Sequence, residues 1–447
     1  MVSVADLATT LQPLFTTLAD QAACDSGFIT RVRTLTGAAF VQTLVFGWLA
    51  DPAVSLSGLT QSAAACAAPL SRQGLDQRFT PAAADCLRRV LTVALTTVIA
   101  ADAVALPILA RFCGVYLWDA TTITLPDALA SVWPGCGGRV ATNTRAALKV
   151  HLRWEFTTGT FDWLMLTDGR TSDRAAAHDA PALPPGALRL ADLGYFSLTL
   201  LPLLIAQHVF VLCRFPAQPL VFVGDGPGVA VGGCPVGSML AHETGDRVDR
   251  LVTLGATARV PCRLLAMRVD AVTATHRRRQ WRKQAKREGH TVRASRLAMA
   301  DWNVWLTTVP ADRLTLDEAA VLIGLRWQIE LVFKQWKSGG QMDHSRSTQP
   351  YRVLTEVYAK LLAMLVQHWC ILLRGGDDPR RSLVKAAAVV RQHAFALLLA
   401  CRQRERLIAT LTTLSRCLAH AGQVGRRRKR PATADQLLAL PSLPCLN

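Results

Sequence analysis

Two short runs, each leading into an aspartate, constrain this chain more than any other feature. Gly114-Val-Tyr-Leu-Trp118 runs into Asp119, and Ala187-Leu-Arg-Leu-Ala191 runs into Asp192. Five mostly apolar residues are too few for an ordinary helix and suit a buried strand. What surrounds them is different. Residues 1 to about 112 carry apolar side chains at three- and four-residue spacings, as in Phe40 to Leu49 and Cys86 to Ile99, which predicts helices. Segments such as Ser55-Leu-Ser-Gly58 and Ser71-Arg-Gln-Gly74 separate them as loops. Ala147 to Phe156 alternates, and Phe161 to Leu166 follows the turn Thr157-Thr-Gly159, which predicts a hairpin. Ser197 to Gln207 reads as a helix and His208 to Phe215 as a strand. From 216 to about 300 the Gly, Val and Pro content rises around Leu220-Val-Phe-Val223 and Leu251-Val-Thr-Leu254, which predicts a β-rich insertion. The strand Val304 to Thr308 resumes the earlier pattern, and a long helix from about Leu316 to Lys337 follows. Tyr351 to Thr413 is mostly helical apart from a break at Gly375-Gly-Asp-Asp-Pro379. The expected fold is α/β. Its core comprises 113–215 and 301–374, interrupted by the 216–300 insertion and flanked by helical regions at 1–112 and 375–447.

Lys and Arg number 50 against 32 Asp and Glu, a net charge of +18, and a surplus of that size calls for a polyanionic partner. Nucleic acid is the first candidate and an anionic membrane surface the second, although a merely basic solvated surface would give the same total. The cations are clustered, which favours nucleic acid. Arg277, Arg278, Arg279, Arg282 and Lys283 form one basic segment, extended by Lys286 and Arg287, and phosphate contacts are expected there; an exposed loop is the plain alternative. A second basic run, Gly425 to Arg430, reads as a flexible tail. Met1 to Asp20 lacks the pattern of a signal peptide. Val90 to Ala110 is interrupted by Asp102 and Pro107, and Leu361 to Leu373 is short and contains Gln367 and His368, so both read as buried helices and no membrane is expected. The twelve cysteines occur singly with no CxxC pair, which fits reduced core thiols of a cytoplasmic protein. No GxxxxGKT loop is present, so ATP is not expected.

The long helix opens on Thr315-Leu-Asp-Glu318, a capping box in which threonine caps and glutamate reaches back. At 100° per residue, Leu322, Leu325, Ile329, Val332, Phe333 and Trp336 fall on one stripe. Arg326, Glu330, Lys334 and Lys337 fall on a neighbouring one. One face therefore packs on a core while the next carries a carboxylate among three cations. Ion pairs on a solvated surface would account for that face equally well.

The segment Arg326-Trp-Gln-Ile-Glu330 through Lys337 resembles the Y-R-E-K signature of the insertion-sequence-four family of DDE transposases: Tyr, two residues, Arg, three, Glu, six, Lys. Three of the four positions match, and Ile323 stands where the family has Tyr. Tyr116-Leu-Trp-Asp-Ala-Thr-Thr122 and Ala191-Asp-Leu-Gly-Tyr-Phe196 resemble the two Asp motifs, and Tyr358 to Trp369 is also similar. The resemblance covers about 113 to 373 and is weak before that.

The resemblance implies an RNase H-like catalytic core, with Asp119, Asp192 and Glu330 holding two magnesium ions for which manganese could substitute. Hard cations of this kind take carboxylate oxygens, and a pair about 4 Å apart can activate water and stabilise a leaving oxygen. Arg326 and Lys337, and more weakly Lys334, would hold DNA phosphates. A flipped base would stack on Trp302 or Trp305, which point to opposite faces of one strand, so only one of them would serve. The implied reaction is cut-and-paste transposition on double-stranded terminal repeats by a homodimeric synaptic complex. Two alternatives stand beside it: a transposase-derived DNA-binding protein without activity, and another RNase H-like nuclease.

Overall fold

The computed structural model describes residues 2–31, 34–97, 106–136, 145–216, 218–223, 232–343, 345, 347–374, 382–422 and 433–440. The break at 375–379, the 425–430 tail and part of Val90 to Ala110 lie outside them. The protein is mixed α/β. Its strands are β1 (Val115–Leu125), β2 (Ala146–Glu155), β3 (Thr160–Asp168), β4 (Leu188–Ala191), β5 (Phe210–Arg214), β6 (Leu220–Phe222), β7 (Cys234–Pro235), β8 (Arg247–Leu254), β9 (Val260–Arg268) and β10 (Trp302–Thr307). The chain forms two compact units: Met1–Val104, Ala120–Thr171 and Gln328–Ala434 in the first, Ala105–Asp119, Ser172–Trp327 and Asp435–Asn447 in the second.

In the first unit, six helices between Val4 and Thr96 bear out the helical reading of the N-terminal region. Two of the expected loops are helix starts instead. Ser55 caps Leu56–Ala65 by accepting from the Gly58 N–H at 3.2 Å, and Ser71 caps Arg72–Asp76 by accepting from the Gly74 N–H at 3.0 Å. A serine followed three residues on by glycine reads as a turn, but it also satisfies an orphan donor of a first helical turn. The helix Gly37–Ala50 is buried from Gly37 to Leu49 and packs against Pro350–Leu372, which contains all of the apolar stretch Leu361 to Leu373 but its last residue, the C-cap. Leu383–Ala400 has the length and composition to cross a membrane, and here it packs against Gly37–Ala50 and Arg404–Ala419. The β2–β3 hairpin forms where expected, antiparallel across Thr157-Thr-Gly159. The Phe161 ring stacks at 4.0 Å on His368, whose ring nitrogen donates to the Gly159 carbonyl at 2.5 Å. Burial pushes that imidazole down to about 4, so it stays neutral, and the carbonyl only partly offsets the shift.

In the second unit, β1, β4 and β5 are parallel neighbours, and β10 joins β5 antiparallel. β9, β8, β6 and β7 extend the sheet antiparallel from β10. Where they run side by side these parallel strands are mostly buried, Val115 to Trp118 and Leu188 to Ala191 throughout and Val211 to Cys213 in β5, as expected for interior strands. Strand β1 does not stop at Asp119, because Thr121, Thr122, Ile123 and Thr124 are β-branched and continue it to Leu125. The long helix is broken. Leu316–Leu322 gives way to a 3-10 turn at Ile323–Leu325, and the helix Arg326–Gly340 follows.

Candidate metal and nucleic-acid site

Strand register sets the first two carboxylates side by side. β1 and β4 run parallel with Trp118 opposite Ala191, so Asp119 is the next residue of β1 and Asp192 the first residue past the end of β4. At Ala191 the chain leaves the sheet, and Asp192 opens the tight turn Leu193–Tyr195 with no side-chain bond to that turn. The pair is framed by buried rings. Trp118 meets Tyr195 edge-on at 5.7 Å, and the Arg189 guanidinium lies 4.8 Å above the Trp118 ring. Burial, with the Asp173 and Asp119 carboxylates adding, pushes the Tyr195 phenol up, so it remains neutral. Cys213 lies near Asp192. Burial pushes its thiol up to about 12, which leaves it a poor metal ligand.

Arg326 reaches this pair. It opens the helix Arg326–Gly340, and its Nη1 lies 3.4 Å from Asp119 Oδ2, with both side chains mostly buried. The capping box upstream fixes the preceding segment. Thr315 Oγ1 accepts from the Glu318 N–H, and Glu318 Oε2 accepts from the Thr315 N–H. Glu318 also accepts from Arg111 at 2.9 Å. Burial pushes the Glu318 carboxyl up, but Arg111 and the Thr315 bonds outweigh it and hold it below the usual range.

Two features escaped the sequence reading. Asp173 reads as an ordinary turn residue, yet a Cβ on Gly194 would come within 2.3 Å of its Oδ2. Its carboxylate is thus packed against the turn that follows Asp192, and a side chain at 194 would have to displace it. Trp327, beside Arg326, is 53% exposed, unusual for an indole, whereas the stripe pattern had drawn attention only to its buried neighbours.

Glu330 lies one helical turn beyond Arg326, half-buried, with Lys334 exposed and Lys337 half-buried further along. The apolar stripe Leu322, Leu325, Ile329, Val332, Phe333 and Trp336 is buried throughout, as its spacing required. Among the described residues, no three His, Cys, Asp or Glu side chains are grouped closely enough to hold a metal ion. Register makes Asp119 and Asp192 neighbours, and an ion pair joins Arg326 to Asp119. The two aspartates are hard oxygen donors, one on β1 and one at the end of neighbouring β4, a partial ligand set that fits magnesium and not a thiophilic metal.

The basic segment is a helix, Ala271–Arg287, capped by Asp270, with Ala274 and Ala285 its buried residues. Its cations divide into two kinds. Arg277 donates to the Trp302 carbonyl at 2.9 Å and to Asn303 Oδ1 at 2.7 Å, and Arg278 pairs with Asp301 at 2.5 Å, so both tie the helix to the start of β10. Arg279, Arg282 and Lys283 are exposed. Trp302 and Trp305 are both buried, and the Arg268 guanidinium covers the Trp302 ring at 4.3 Å. A base could stack on either ring only after the covering side chains moved.

Sequence comparison adds a family and relatives. The pattern of the family described as the transposase DDE domain matches residues 114–366. The chain is 24% identical over 441 residues to the transposase for insertion sequence element IS231F of Bacillus thuringiensis subsp. israelensis, covering 93% of this chain and 91% of that protein. It is 24% identical over 367 residues to the transposase for IS1151 of Clostridium perfringens, covering 76% and 75%. It is 27% identical over 252 residues to the putative transposase InsL for IS186A of Escherichia coli (strain K12), covering 54% and 64%.

Proposed function

The chain belongs to the transposase DDE-domain family and is a DNA transposase, and from that premise we propose that it moves an insertion sequence by metal-dependent cut-and-paste, as a member of the insertion-sequence-four group. The observation that carries this reading is the placing of Asp119 on β1 and Asp192 just past the end of its parallel neighbour β4, with Arg326 3.4 Å from Asp119. The parallel β1–β4–β5 set supports an RNase H-like core, and the antiparallel β6–β9 set between β5 and β10 supports an insertion into it.

In this reading Asp119, Asp192 and Glu330 hold two magnesium ions, with manganese able to substitute. Once bound, the ions would supply an activated oxygen nucleophile and stabilise the leaving oxygen. The chain's own residues do the rest. Arg326 and Lys337 hold phosphates on either side of the scissile bond, and Lys334 adds charge nearby. Tyr195 and Trp118 keep the aspartate-bearing strand ends rigid. Arg279, Arg282 and Lys283 track the DNA backbone, with Arg277 and Arg278 anchoring their helix. The N-terminal helices read the terminal repeats, two copies of the chain synapse two ends, and no ATP is used. The cytoplasm is the site of action. Nicking, hairpin formation and strand transfer follow in that order on one site.

The test is the Glu330→Gln variant on DNA bearing the ends of the element that carries this gene. Cleavage should be abolished while end binding stays within about twofold of wild type. Normal cleavage by that variant would remove Glu330 from the site. Cut ends without joined products from the wild type would leave a nuclease rather than a transposase.

A further inference from the structure

The first unit holds a cleft of about 1,190 Å³ of whose lining the proposed reaction uses Lys337 alone. It is larger than the ~300–1,000 Å³ typical of small-molecule sites. Its walls come from the ends of Gly37–Ala50 and Arg326–Gly340, the starts of Leu56–Ala65 and Pro350–Leu372, and the short helix Arg72–Asp76. Four cations line it. Arg352 is held by Asp76 at 2.7 Å, and Lys360 by Glu356 at 2.7 Å. Arg72 and Lys337 have no carboxylate partner among the described residues, so their charge is left for whatever enters. Phe79 contributes a half-buried ring with the Arg352 guanidinium 5.3 Å from its centre. Lys337 lies seven residues beyond Glu330 on one helix, about 10 Å at the helical rise.

We infer that this cleft takes a short unpaired stretch of DNA, a few nucleotides of one strand next to the cleavage point. The inference rests on the proposed function. Unpartnered cations serve the backbone, and an aromatic ring with uncharged hydroxyls such as that of Ser57 serves bases of any sequence, the combination that single-strand sites use.

The test uses the full chain in EDTA, so that nothing is cut, and fluorescence anisotropy with three probes. These are a blunt duplex of the element's terminal sequence, the same duplex extended by four unpaired nucleotides on either strand, and a scrambled blunt duplex. The unpaired extension should tighten wild-type binding about tenfold. Arg72→Glu should remove that gain and leave blunt-end affinity within about twofold. Arg72 is exposed at the first position of its helix, where a carboxylate suits the helix dipole, so the variant should fold. Ser57→Trp, which obstructs the cleft by volume and leaves its charge unchanged, should do the same. Equal affinity for blunt and extended ends, or a gain that survives in both variants, would overturn the inference while preference for the end sequence over the scrambled duplex stood. Loss of that preference as well would mark failure of the proposed function itself.

Discussion

The contact between Arg326 and Asp119 places a positive charge where the proposed reaction needs a cation. At 3.4 Å the guanidinium offsets the carboxylate's charge, and a bound phosphate would give that same guanidinium a second acceptor. Arg326→Ala should therefore lower single-turnover nicking by roughly one to two orders of magnitude, the scale of a lost charge-assisted hydrogen bond. Arg326→Lys should not restore it, since a point charge lacks the planar fork. A nicking rate unchanged in the alanine variant would rule out the clamp role. Gly194 carries a second residue-scale expectation. A methyl group there meets the Asp173 carboxylate, so Gly194→Ala should cost about 1–3 kcal/mol in urea unfolding. In an Asp173→Ala background the cost should largely vanish, because the two sites share one contact. Additive losses would show that the clash is not the cause.

Among the elements, the helix after Thr315 was the most legible in the sequence. Its capping box and apolar stripe are local features, and the structure has both. The 3-10 turn at Ile323–Leu325 was not legible, because periodicity alone carries the stripe through it unchanged. β1 was shortened in the sequence reading for a related reason: an aspartate reads as a strand end, whereas the β-branched run beyond it extends the strand. Of the site, the adjacency of Asp119 and Asp192 could be anticipated only from the resemblance, since nothing in one sequence pairs strands 73 residues apart. The approach of Asp173 to Gly194 left no sequence signal beyond a lone glycine. The capping box also yields a pH prediction. Arg111 and Thr315 hold the Glu318 carboxyl below its usual range, so the stability it contributes is present above its unfolded value of 4.5 and is lost as pH falls through the folded one. Glu318→Gln should cost about 2 kcal/mol at pH 7, less than a fully buried pair because Arg111 is partly exposed and also donates to the Arg313 carbonyl. The gap between variant and wild type should close as unfolding is repeated from pH 6 down to 3.5. A gap independent of pH would show that the loss is one of packing.

Across the whole molecule, the +18 charge predicts strong salt dependence, and the helix Ala271–Arg287 shows where part of it resides. Each phosphate neutralised contributes about −0.9 to the slope of log affinity against log salt. Replacing Arg279, Arg282 and Lys283 together by alanine should therefore make the slope shallower by about two to three units between 50 and 200 mM salt and leave unfolding within about 0.5 kcal/mol. Replacing Arg277 and Arg278 should do the reverse. Their guanidiniums are spent on the Trp302 carbonyl, Asn303 and Asp301, so the slope should barely move, while stability falls as the helix loses its attachment to β10. Were the Arg277 and Arg278 pair to govern the salt slope instead, those contacts would have to open when DNA binds, and the division of this helix into anchors and phosphate contacts would be wrong.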